Sequence, residues 1–148
     1  MKLTPVALHT RAQPCDLSDP IMNFKLGDDL LRVMHNSKGI GLAATQVGAS
    51  IRVFVMGHEG VNRVCFNPEI VDTSTDQVDY DEGCLSFPGE HCIIKRPSEI
   101  QVRYYTPTGS PVEETLNGIW ARCFQHELDH LNGITMWDRY KEQNAKQS

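Results

Sequence analysis

The chain has 148 residues, enough for one domain with a buried core, and its 40% hydrophobic and 22% charged content is ordinary for a globular protein. No apolar run approaches membrane-spanning length. The net charge of −5 disfavours a protein that grips nucleic acid through its phosphates, a task that calls for a basic face.

The first twenty-odd residues are polar, with Pro5, Pro14 and Pro20, and read as an extended arm lying over the domain. Met1 to Pro5 is followed by no long apolar core, so no signal peptide is expected. From about Phe24 to Ser37 the pattern turns helical, with Leu26, Leu30, Val33 and Met34 on one face and Asp28 and Asp29 in the early turns. Asn36, Ser37 and Gly39 supply the stop. The glycine-rich stretch Gly39 to Gly48 is not a phosphate loop: it lacks a lysine beside Ser or Thr, and the strand follows it. It reads as a tight connection or, with the Gln46 amide as donor, as a segment lining a substrate.

Ile51 to Met56 is a strand by its β-branched and aromatic content. Arg63 to Val71 is another, at an edge or bent at Asn67-Pro68. Thr73 to Asp81 reads as a polar turn leading towards Cys84. His91 to Lys95 and Ile100 to Tyr105 look like an antiparallel pair around Arg96-Pro97-Ser98, and Thr106 to Gly109 is a hairpin turn. A second helix begins near Asn117 as N-cap, takes apolar surface from Ile119, Trp120, Cys123 and Phe124, and ends at Asn132-Gly133. The polar tail, Lys141 to Ser148, reads as frayed. Two helices, several short strands, no βαβ alternation and no repeat indicate an α+β class with mainly antiparallel sheets, in one domain over residues 1–148.

The five cysteines are Cys15, Cys65, Cys84, Cys92 and Cys123. Their odd number and irregular spacing do not make a disulfide framework and fit a reducing compartment. Chemistry concentrates in Gln125 to His130, which carries HExxH on the second helix. Histidines four apart lie one above the other, so their imidazoles can converge on one divalent metal. Glu127, about 100° further round, can reach a water held there.

A catalytic site needs a third protein ligand and an open position. Cys123 is unsuitable, because residues 123 and 130 are separated by about 10.5 Å of helix rise. The obvious source is another element, Glu82-Gly83-Cys84-Leu85-Ser86. One thiolate with two neutral imidazoles is borderline in softness and suits iron, nickel, cobalt or zinc. A zinc endopeptidase also uses HExxH, but Asp138 and Glu142 downstream form no recognisable zincin arrangement.

Three stretches, Gly39 to Gln46 (GIGLAATQ), Glu82 to Ser86 (EGCLS) and His126 to His130 (HELDH), resemble the peptide deformylase family in order and separation. The resemblance runs from about Thr10 to Tyr140. It implies a helix bearing metal ligands packed among antiparallel sheets, and removal of the N-formyl group from nascent chains that begin with formyl-methionine, releasing formate. It implies Cys84, His126 and His130 as metal ligands, with ferrous iron in the cell and zinc, nickel or cobalt able to substitute.

The same resemblance implies Glu127 as general base, and the Gln46 side chain with the Leu85 backbone N–H as oxyanion donors. Ile40, Gly41 and Ile119 would line the substrate groove and its methionine pocket. Glu82 and Arg96 read either as a pair steadying the Cys84 turn or as a solvated surface pair. His91 stands where many members carry arginine and is left out of the catalytic set. Asp129 reads as structural.

The expected partners are N-formyl-methionyl nascent peptides, with no membrane and no direct nucleic-acid binding. Many bacterial members continue into a longer C-terminal helix associated with docking on the ribosome. Only 18 residues follow His130 (148 − 130), so ribosome proximity is expected to be transient and docking weak. Short forms occur in phage and organelle-related branches. The expected location is the cytoplasm, that of the host cell if the chain is phage-encoded.

Overall fold

A proline whose fixed φ suits the first helical position sets the start of the first helix. In the computed structural model, which describes residues 1–4 and 9–145, α1 spans Pro20–Asn36, and the Asp19 carboxylate accepts a hydrogen bond from the Met22 N–H. The helix therefore begins at Pro20 and not at Phe24, which leaves Asp28 and Asp29 in its middle turns. Leu30 and Met34 are fully buried on its inner face.

The strands are β1 (Gly41–Ala43), β2 (Val53–His58), β3 (Val61–Thr73), β4 (Gln77–Cys84), β5 (Phe87–Pro97), β6 (Glu99–Tyr105) and β7 (Pro111–Asn117). Five form one antiparallel sheet in the order β1-β2-β3-β6-β7, and β4 pairs with β5 in a second sheet of two strands. A 3-10 turn, Ala44–Val47, follows β1. These antiparallel sheets with three α-helices make an α+β fold.

Two strand expectations change, and of the two alternatives for the strand around Asn67-Pro68 the bent one holds. β3 is not an edge: it lies between β2 and β6, and bends where Asn67 takes a φ of 48° at a register shift between Phe66 and Glu69. A bulge tolerates the missing N–H of Pro68 inside a sheet. The turn expected over Thr73 to Asp81 is shorter, because β3 runs to Thr73 and β4 starts at Gln77. β5 and β6 do not pair with each other; the chain changes sheet at Pro97-Ser98, since alternation turns Cys92, Ile94 and Arg96 into the interior of the β4–β5 layer.

β2 is apolar on both faces because both are covered. Val53 and Val55 pack in one cluster with Leu30 and Met34, and Phe54 and Met56 in another with Phe124 and Leu131. The second cluster belongs to α2 (Gly118–Leu131), which lies between the five-stranded sheet and the β4–β5 layer. Phe54 and Phe124 meet edge to face at 4.9 Å.

Both ends of α2 are fixed. Asn117 caps with extended backbone and no side-chain bond. At the other end Gly133, at φ 75°, lets its own N–H reach the His130 carbonyl while the Ile134 N–H reaches that of Asp129. Arg52 adds a cation there, donating to the Leu131 carbonyl and the Asn132 side chain. The N-terminal arm lies over the domain as expected: the Ala12 N–H donates to the Leu131 carbonyl and Asn67 bonds both backbone groups of Cys15. Pro5 of that arm lies outside the described residues.

The tail departs from expectation. A third helix, α3 (Met136–Asn144), is capped by Thr135 and Asp138 exchanging hydrogen bonds, so Lys141 to Asn144 are helical and not frayed. Gln143 clamps it to β5 by accepting from the Lys95 N–H at 2.9 Å and donating to the Lys95 carbonyl at 2.8 Å. The rest of the tail, residues 146–148, lies outside the described residues. Deleting Lys141 to Ser148 is thus expected to lower stability by about 1–2 kcal/mol, read as a lower midpoint in thermal unfolding. An unchanged midpoint would show the clamp to be idle. No helix among the described residues is long and apolar enough to cross a membrane.

Candidate metal centre

A register shift between Gly83 and Cys84, where β4 meets the tight turn into β5, turns the Cys84 thiol towards α2. Cys84 Sγ lies 3.2 Å from His130 Nε2, which lies 3.2 Å from His126 Nε2. These three atoms all fall within 4.8 Å of one another. Cys123 is turned away: its buried thiol donates to the Ile40 carbonyl.

The His126 ring is held from behind. Its Nδ1–H donates to Glu82 Oε1 at 2.9 Å, which turns Nε2 towards Cys84 and His130. Glu82 is itself buried and gripped by two arginines. Arg96 donates through Nε at 2.6 Å and Nη2 at 2.9 Å, and Arg122 through Nη1 at 2.9 Å. Burial alone would raise the Glu82 pKa, but His126 and Arg96 more than offset it and hold the carboxyl far below the usual carboxylate range. The solvated-surface alternative for Glu82 and Arg96 is therefore excluded, as both are at most 5% exposed. Asp129 is structural in the sense expected, pairing with Arg96 and Arg139.

Burial pulls His126 down, but contacts with Cys84 and Glu82 outweigh it and push the imidazole up to about 10. Burial and the neighbouring His126 charge hold His130 well below its ordinary value. A metal on the two Nε2 atoms would need both imidazoles unprotonated there, so its binding would compete with protons. Glu127, adjacent on α2, is 3% exposed, and burial raises it to about 7 although His126 opposes the shift. Among the described residues, Glu127 Oε1 and His130 Nδ1 are the buried side-chain atoms left without a hydrogen-bond partner.

Beside the three donor atoms runs a groove of about 570 Å³ whose lining includes Ile40, Gly41, Gln46, Leu85 and Glu127. Gln46 is oriented by the backbone three residues before it: Oε1 accepts from the Ala43 N–H at 2.9 Å, so Nε2 points to Ser86 Oγ at 2.9 Å and Cys84 Sγ at 3.6 Å. Gly41 permits a close approach that no side chain could share, since a Cβ there would stand 2.6 Å from Cys123 Sγ and 2.8 Å from Glu127 Oε2.

Ile119 is the one expected lining residue that the groove does not reach. It sits in the first turn of α2, about 10.5 Å of rise ahead of His126, and Arg122 and Cys123 occupy that wall. Sequence reasoning missed Arg122, although a charged residue inside the apolar run Trp120 to Phe124 was a usable signal.

The orphaned Glu127 oxygen and the converging donor atoms of Cys84, His126 and His130 suit a divalent cation and a water, the arrangement of a metal-dependent hydrolase. A family model described as polypeptide deformylase matches residues 2–146. The peptide deformylase of Phenylobacterium zucineum is 40% identical over 96% of this chain and 86% of its own length. The crystal structure of peptide deformylase from Thermotoga maritima superposes with a TM-score of 0.88 at 38% identity, covering 94% of this chain and 97% of that one. A probable peptide deformylase from Synechococcus phage S-SSM7 gives a TM-score of 0.89 at 34% identity over 94% and 99%. The chain belongs to the polypeptide deformylase family, hydrolases that remove the N-formyl group from nascent peptides.

Proposed function

We propose that this chain hydrolyses the formyl amide of N-formyl-methionyl peptides at a metal centre held by Cys84, His126 and His130. The observation that carries the reading is the convergence of those three donor atoms beside the unpartnered Glu127 carboxylate. A divalent ion bound there would supply Lewis-acid polarisation and a nucleophile at neutral pH. Ferrous iron is the proposed ion in the cell, with zinc, nickel or cobalt able to replace it, since one thiolate and two imidazoles suit all four.

Glu127 takes the proton of the attacking water and delivers it to the leaving amine, a role served by its raised pKa near 7. The Gln46 Nε2–H and the Leu85 N–H donate to the developing oxyanion, and the fixed Gln46 carbonyl keeps its donor end towards the site. Ile40 and Gly41 line the peptide's path, with the apolar groove wall taking the methionine thioether. A formyl carbon carries only hydrogen, so a tight site excludes an acetyl methyl by clash.

The proposed setting is the cytoplasm, with weak docking on ribosomes, because an acidic chain offers little to RNA phosphates. Formate release from a formyl-methionyl dipeptide is expected, with acetyl-methionyl peptide and an unblocked protein inert. Cleavage of the unblocked protein at equal rate would turn the reading towards an endopeptidase.

A further inference from the structure

We propose that Arg139, on α3, is a positioning residue for His126, acting through Asp129, Arg96 and Glu82. This rests on the ligand set proposed above. Four groups of alternating charge run from α3 to the back of the His126 ring. Arg139 donates to both oxygens of Asp129, from Nε at 3.0 Å and from Nη2 at 2.8 Å. Asp129 Oδ2 also accepts from Arg96 Nη1 at 2.8 Å, and Arg96 donates to Glu82 through its other two nitrogens, Nε and Nη2. Glu82 Oε1 accepts the His126 Nδ1–H.

The guanidinium is a rigid plane, so the angle at which Nη1 meets Asp129 fixes the fork that Nε and Nη2 offer to Glu82. Asp129 is 6% exposed, and Arg96 and Glu82 are 5% and 4% exposed, so water replaces a lost charge partner only in part. Without Arg139, Asp129 keeps Arg96 as its one cation, and a buried carboxylate short of charge draws that cation towards itself. The fork on Glu82 tilts, and the bond that aims the His126 Nε2 loosens. Arg139 stands at the far end of this chain and its side chain is one-third exposed, so its effect is smaller than that of a direct partner of the ligand.

A tether holding α3 to α2 would also involve Arg139, and the test separates the two roles. Cobalt(II) is titrated into the metal-free protein against a competing chelator. The dissociation constant of Arg139→Met is expected to rise by about threefold to tenfold, below the 10- to 100-fold typical of partners that touch a ligand. The visible cobalt bands are expected to shift, and kcat to fall with KM unchanged. Gln143→Ala, which removes the two α3 bonds to Lys95 of β5 and keeps the Arg139–Asp129 pair, is expected to lower the unfolding midpoint and leave the cobalt constant within about twofold. If Arg139→Met does not fold, Arg139→Gln reports the same constant.

A wild-type cobalt constant in the Arg139 variant, or an equal weakening in Gln143→Ala, overturns the proposal. The underlying ligand set fails separately, if Cys84→Ala binds cobalt undiminished.

Discussion

Glu127→Ala is expected to keep its metal and lose turnover on a formyl-methionyl peptide by roughly two or more orders of magnitude, the usual loss for a general base. The expectation follows from burial and geometry together. The carboxylate is almost wholly enclosed, one oxygen has no partner, and the other stands against the backbone of Gly41, where only a glycine leaves room. Glu127 is also one residue along the helix from His126, which turns it out of the ligand cluster and towards the groove. Its removal should therefore leave Cys84, His126 and His130 in place, and the variant should still bind a hydroxamate that chelates the metal through two oxygens. Turnover close to that of the unaltered chain would remove Glu127 from the mechanism.

The second large effect concerns Cys84. Cys84→Ala is expected to abolish tight metal binding, because the two histidines come from adjacent turns of one helix and leave the third corner of the site to the strand. Neither Cys123 nor Cys92 takes its place: Cys123 points at the Ile40 carbonyl, and Cys92 is buried towards Met136. Elemental analysis of the purified variant checks this. Undiminished metal would mean that the ligands lie elsewhere.

The chemistry was legible in the sequence because it is local. HExxH is a spacing on one helix, and EGCLS and GIGLAATQ are contiguous, so candidate donors could be sought in the sequence, while the family resemblance supplied the roles proposed for Glu127 and Gln46. What stood out less was whatever depends on distant partners. Arg122 reaches Glu82 across 40 positions and Arg96 reaches Asp129 across 33, and neither distance leaves a trace in periodicity. The pairing of β4 with β5 was hidden for a related reason: Arg96 looks like a turn residue beside Pro97, yet it is the buried end of a strand. The early start of α1 was different. Asp19-Pro20 is a cap followed by an N1 proline, and that signal was available but lost among the other prolines of the arm.

The separate sheet formed by β4 and β5 has one further consequence. Its only proposed ligand is Cys84, while both histidines belong to the helix beneath the larger sheet, so an ion on this set cross-links two layers through a loop of 42 positions (126 − 84). A cross-link that exists only in the folded chain adds its binding free energy to the folding equilibrium. Metal supply then governs persistence as well as rate. In a metal-starved cell the chain would lose activity and, being less stable, would also be degraded faster, so scarcity would reduce the amount of protein along with its specific activity.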